Sequence, residues 1–254
     1  SNGVQILSLT CATNHWRIGK WTFVKTYTLE DNAKRFKVDY TITNDNDEDR
    51  IFTPWIHNIV TPDIHETVYA AKDGIMWANT AHDFFHYPER NWLCDIERKS
   101  GKAILFAAEW NELLSQYWCW WNDCHCTEWV YVPKSLKKGE SRTLSYWIGV
   151  TAVPDAPAVV TPDGAATWVF EDGMMKITFS PTRFGKLKVT PVLNGNRKFD
   201  PVEADAKADK PVVIALDAAK LPKSGLMELE IEGALKYFKD LGNKLQFDFN
   251  AMLG

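Results

Sequence analysis

Apolar residues along most of this chain recur at every second position, a spacing that only extended strands can use. Trp21, Phe23, Lys25, Tyr27 and Leu29 fall on one face of an extended segment. Phe36, Val38, Tyr40 and Ile42 fall on one face of the next, with Thr41 and Thr43 on its other face. Successive side chains of a strand point to opposite sides, so the pattern describes half-buried β-strands. Glu30-Asp31-Asn32-Ala33 between them reads as a hairpin turn, and the polar run Asn44 to Asp49 closes the second strand. Ala103 to Ala108 is a short apolar run that fits a buried strand. Trp129 to Val132 and Leu144 to Val150 add two more, joined through Lys137-Lys138-Gly139-Glu140. Helical periodicity is nearly absent, with Asn111 to Gln116 suited to one helical turn. The chain is expected to be all-β.

Tryptophan divides it. Eleven of the 12 Trp precede residue 150 and only Trp168 follows; all five Cys and all six His also lie in the first half. Halves of such different composition read as two domains, 1–152 and 153–254. The junction is marked by Val153-Pro154-Asp155-Ala156-Pro157 and then Thr161-Pro162-Asp163-Gly164, which read as a linker or entry loop. The second half carries short strands near 176–179, 187–190, 212–216, 227–231 and 245–249, separated by Gly, Pro or Asp. That grammar suits a small immunoglobulin-like sandwich. No chemistry is assigned to it, and packing or spacing is its expected role.

A net charge of −4 argues against a nucleic-acid-binding face, which would show a basic excess. No apolar run approaches the ~20 residues of a membrane-spanning helix. The opening Ser1-Asn2-Gly3, without an initiating Met, reads as a trimmed start, and further domains of a longer parent chain are expected. Five cysteines at 11, 94, 119, 124 and 126 leave at least one thiol without an intrachain partner and resemble no disulfide framework.

Two segments combine flat aromatic surface with hydrogen-bonding groups, the pairing a sugar ring requires. The first is Thr53-Pro54-Trp55-Ile56-His57-Asn58; the second runs from Tyr117 through Trp118, Cys119, Trp120, Trp121, His125 and Glu128 to Trp129. Any single Trp is better explained as core, and a single His near a strand start as structural. As groups, Trp55, Asn58, Trp118, Trp120, Trp121 and His125 are the candidate carbohydrate-binding residues. Glu128 lies beside the apolar run Trp129 to Val132, where burial would raise its pKa and suit it to proton transfer. His57 or His125 could partner it, and His57 with Glu128 is the candidate acid–base pair. Cys119, Asp123, Cys124, His125 and Cys126 invite a zinc reading, but no second Cys/His pair stands at a standard interval, so no metal and no cofactor are assigned. His82 and His86, near Pro88, read as loop.

The order of these features resembles the galactose mutarotase-like β-sandwich superfamily. The resemblance rests on Arg35 to Asn44 followed by an acidic turn and Pro54-Trp55-Ile56-His57-Asn58. It continues in Asp95 to Gly101 with Ile104-Leu105-Phe106, then Thr127-Glu128-Trp129, then Leu136-Lys137-Lys138-Gly139-Glu140-Ser141 and Leu144 to Trp147. It covers residues 4–150 and implies His57 as general acid and Glu128 as general base. No match stands for the family's substrate-binding Asp, for its Arg before the His segment, or for the strands that precede Val4 to Thr10. The expected fold is therefore an N-terminally truncated mutarotase-like sandwich followed by the immunoglobulin-like module.

Three functions follow. The first is a carbohydrate-binding or accessory module of a polysaccharide-processing protein, with an oligo- or polysaccharide as partner and an extracellular or periplasmic setting. The second is an enzyme acting at a sugar anomeric centre through His57 and Glu128, like an aldose 1-epimerase, a glycoside hydrolase or a lyase. The third is a structural or cell-surface module without a small ligand.

Overall fold

A computed structural model describes residues 3–60, 66–71, 74–78, 84–86, 91–97, 99–108, 112–121, 124–153, 157–206, 210–232 and 244–248. Within these, side chains are described except at 60, 71, 74, 77, 78, 84–86, 118–121, 124, 125, 206 and 244–248. The first half contains β1 (Val4–His15), β2 (Gly19–Glu30), β3 (Arg35–Asn44), β4 (Arg50–Phe52), β5 (Trp55–Val60), β6 (Glu66–Ala71), β7 (Gly74–Ala78) and β8 (Phe84–His86). It continues with β9 (Trp92–Glu97), β10 (Lys102–Ala108), β11 (Leu113–Trp121), β12 (Cys124–Tyr131), β13 (Lys134–Leu136) and β14 (Ser141–Ala152). The all-β expectation holds, and no helix among the described residues is long and apolar enough to cross a membrane.

An antiparallel eight-stranded sheet runs β1-β2-β3-β14-β10-β9-β6-β7; a four-stranded sheet runs β5-β12-β11-β8, and β4 pairs with β13. The turn after Glu30 is the expected hairpin, its Ala33 N–H donating to the Glu30 carbonyl. Strand alternation assembles one core between the two sheets. Trp21, Val38, Ile42, Leu93, Phe106, Leu144 and Tyr146 come from the large sheet, and Ile56, Trp129 and Tyr131 from the small one. Burying one such side chain is worth about 1.5–3 kcal/mol, so this shared face holds the two sheets together.

One expectation is overturned here. Leu113 to Gln116 is not a helical turn but the start of β11, pairing with β12 through a bulge between Leu113 and Ser115. Its local pattern loses to the ladder, in which the neighbouring strand satisfies its backbone; the bulge breaks the alternation, so that the adjacent Ser115 and Gln116 are both buried and Leu114 is exposed.

The second half adds β15 (Val159–Thr161), β16 (Gly164–Glu171), β17 (Met174–Pro181), β18 (Gly185–Leu193), β19 (Arg197–Lys198), β20 (Val202–Ala206), β21 (Val212–Asp217), β22 (Ser224–Ile231) and β23 (Lys244–Asp248). One sheet runs β15-β16-β17-β21 and a second β19-β18-β22-β23, with β20 also on β18. Ile177, Phe179 and Ile214 from the first pack with Leu187, Val189 and Met227 from the second.

The segment Thr161 to Gly164 is a buried hairpin turn rather than an exposed linker. Val160 and Ala165 pack with Trp92, Cys94, Ile96, Ala103, Leu105 and Ala107 on the other face of the large sheet. β9 and β10 are thereby covered on both faces, which explains their near-continuous apolar sequence. The Arg35 guanidinium reaches from β3 to the Asp163 carboxylate at 2.6 Å and the Pro162 carbonyl at 3.0 Å, with both charged side chains buried.

Candidate functional site

β12 lies between β5 and β11, so a side chain on its outer face is flanked from both sides. In register, His57 stands directly opposite Glu128 on one side and Tyr117 opposite it on the other. This flanking leaves Glu128 only 4% exposed, although Trp55 and His57 on the edge strand remain open to solvent. His57 Nδ1 lies 3.1 Å from Glu128 Oε1. Cys126, two residues before Glu128 and so on the same face, donates its thiol to the same oxygen at 3.0 Å and lies 3.9 Å from His57 Nδ1. The half-exposed Trp55 indole contacts the Tyr117 ring edge-on at 6.0 Å and the His57 ring at 6.2 Å.

His57 has a second environment. With Asn58 and Ile59 it borders a cleft of about 380 Å³ between β5 and the large sheet. The opposite wall is Lys25 and Tyr27 of β2, Phe36 of β3, Ile104 and Phe106 of β10, and Tyr146 and Ile148 of β14. That volume lies in the range of small-molecule pockets. Lys25 Nζ stands over the Tyr27 ring at 5.2 Å. Burial, with Tyr27 and Tyr40 close by, pushes the Tyr146 phenol above its ordinary pKa, so it stays a neutral hydrogen-bonding group. Two larger grooves, of about 620 and 720 Å³, lie in the second half and are lined largely by lysines and acidic residues. Their walls are more polar than those of the first.

Asp95 of β9 is fully buried, and its carboxylate accepts from the Thr67 hydroxyl at 2.5 Å. Burial raises its pKa to about 7, against the lowering effect of that hydrogen bond. In register it stands beside Ile104, one of the cleft residues.

The geometry thus joins His57 with Glu128 and adds Trp55. Asn58 is 7% exposed and turns inward to the cleft, away from Trp55. Trp118, Trp120, Trp121 and His125 occupy β11 and β12, with Trp118 opposite Thr127 and Trp120 opposite His125. Their side chains lie outside the described residues, as do those of His86, Cys119 and Cys124; positions 82 and 123 are undescribed altogether. Among the described tryptophans, Trp21, Trp92, Trp129 and Trp147 are buried, whereas Trp16 and Trp55 are exposed. Sequence reasoning missed Tyr146 and Asp95 and treated Lys25 only as a strand position. A lysine on the apolar face of Trp21, Phe23 and Tyr27 was the available signal, since a core position seldom takes a charge.

No protein-family model matches this sequence, and no curated relative does. Solved structures similar to the chain include a galactose mutarotase-like protein from Lactobacillus casei. It is 10% identical, with 57% of this chain and 69% of that one covered and a TM-score of 0.46. A galactose mutarotase-like protein from Clostridium acetobutylicum is 9% identical, over 59% of this chain and 63% of that one, with a TM-score of 0.44. A TPR-domain containing protein from Parabacteroides distasonis is 14% identical over 61% of this chain and 36% of its own, with a TM-score of 0.39.

Proposed function

We propose that this chain binds a carbohydrate in the cleft bordered by His57, as a binding or accessory module of a polysaccharide-processing protein. One observation carries the reading: His57 borders an aromatic-walled cleft of about 380 Å³ and also contacts the buried Glu128. Tyr27 and Phe36 supply faces for the C–H groups of a sugar ring; Lys25, Asn58 and His57 supply donors and acceptors for its hydroxyls. The exposed Trp55 extends the apolar surface past His57. Residues 1–152 form the carbohydrate-handling unit in this reading, and 153–254 the immunoglobulin-like unit that packs beside it.

The test is a glycan array followed by calorimetric titration of the best oligosaccharide. Tyr27→Ala is expected to weaken binding at least tenfold, about 1.4 kcal/mol. An array with no binder, or a variant that binds as well as the parent, overturns the reading.

A second reading is favoured by the 3.1 Å approach of His57 to Glu128. Two groups in direct contact can exchange a proton, as acid–base chemistry at an anomeric carbon needs. Anomer interconversion of a panel of reducing aldoses, followed by polarimetry, checks it. Glu128→Gln should abolish the rate while leaving the circular dichroism unchanged; no rate in the parent protein ends this reading.

A further inference from the structure

The cluster around Glu128 contains more than an acid–base pair. A thiol, an imidazole nitrogen and a carboxylate oxygen converge on one point: Cys126 Sγ to Glu128 Oε1 at 3.0 Å, His57 Nδ1 to Glu128 Oε1 at 3.1 Å, and Cys126 Sγ to His57 Nδ1 at 3.9 Å. We propose that His57, Cys126 and Glu128 form a zinc-binding site on the outer face of the four-stranded sheet.

Tetrahedral Zn²⁺ takes N and O at ~2.0–2.2 Å and S at ~2.3 Å, so adjacent ligand atoms stand roughly 3.3–3.6 Å apart. The two separations to Glu128 Oε1 are slightly shorter than that range and the Cys126–His57 separation slightly longer, so a small turn of the exposed His57 ring would bring the three atoms onto a tetrahedral face. The separation of 3.9 Å is at the outer limit for a sulfur hydrogen bond but is close to the S–Zn–N edge. The donor set is also chemically apt. Thiolate, imidazole and carboxylate together suit zinc, whereas the hard all-oxygen shells of Mg²⁺ and Ca²⁺ exclude sulfur.

The backbone explains how three ligands meet without a loop. Cys126 and Glu128 are two apart on β12 and share a face, and His57 is the residue paired with Glu128 on β5. Two neighbouring strands therefore hold the ligands in a fixed frame. His57 is exposed, so the fourth position faces solvent, the arrangement in which zinc keeps a water or takes a substrate atom. Without metal, Cys126 donates its proton to Glu128 Oε1. On binding, that S–H bond breaks, the proton leaves to solvent and the sulfur pair forms the bond to zinc, so affinity rises with pH.

The proposal shares His57 and Glu128 with the sugar reading, but the two fail separately, since sugar binding is measurable with chelator present and zinc uptake without sugar. Uptake is measured on the full chain, in a Cys11→Ser background that removes an exposed competing thiol, by competition with a chromophoric chelator. One equivalent of Zn²⁺ is expected. Co²⁺ in its place should give a thiolate-to-metal charge-transfer band. Cys126→Ser should abolish the band, and His57→Ala should weaken uptake at least about tenfold. Because His57 is largely exposed, that variant should fold normally, which keeps the test valid if Cys126→Ser does not fold. Absence of one-to-one uptake, or a band and affinity unchanged in both variants, overturns the site.

Discussion

A carboxyl group with no exposure, such as Asp95, makes the stability of this protein depend on pH in a direction opposite to the usual carboxylate. Its folded pKa of about 7 lies above the ~3.9 of an unfolded Asp. Between those values the folded state holds more protons than the unfolded state, so stability falls as pH rises through this window. The contribution is fully present below about pH 4 and lost above about pH 7. Asp95→Asn should therefore gain stability relative to the parent on going from pH 5 to pH 8. The gain is on the order of a few kcal/mol, read from urea midpoints at the two pH values. A difference that does not change with pH would show that Asp95 titrates normally. Neither the burial of Asp95 nor its Thr67 partner was readable from Asp95-Ile96-Glu97, which looks like any strand entering a turn.

At the scale of elements, the β15–β16 hairpin turns on one glycine. Gly164 has φ +153°, and a Cβ there would lie 2.3 Å from the Ser180 carbonyl oxygen and within 3.0 Å of the Phe179 ring. Both neighbours are buried and cannot move aside cheaply. Gly164→Ala should destabilise the protein by roughly 3 kcal/mol or more, seen as a lower urea midpoint with little change in slope. The local reading of Thr161-Pro162-Asp163-Gly164 was a linker or entry loop, whereas the segment is the turn of a buried hairpin. That reading did not predict burial, because turn residues look alike whether they face water or another sheet. The same holds for β11, where Asn111 to Gln116 suggested a helical turn until the pairing with β12 was in place.

For the whole molecule, the Arg35–Asp163 pair ties the two sequence halves together across 128 positions. Glu30, 3.1 Å from the Arg35 guanidinium, stays as a partner when Asp163 is removed, so the loss falls below the ~3–5 kcal/mol of an uncompensated buried charge. Asp163→Ala should show that loss. If the second half depends on this seam, the transition followed by tryptophan fluorescence, which reports mostly the first half, should separate from that followed by circular dichroism. Coincident transitions at the parent's midpoint would show that the seam carries little stability. The apolar cluster of Trp92, Leu105, Val160 and Ala165 also joins the two halves.

By itself the sequence determined many of the strands, the all-β class, and the candidacy of His57 and Glu128. Period-2 alternation and hairpin turns are local, and they survive in any fold that gives each strand a buried face. Only the tertiary structure decided which strands are neighbours, since pairing depends on contacts between residues far apart in the chain. It set His57 opposite Glu128, brought Cys126 to the same oxygen, placed Asn58 on the opposite face, and made a cleft from Lys25, Tyr27 and Tyr146. A one-residue slip of β5 against β12 would leave every strand intact and erase the site, because each side chain would then meet a different partner.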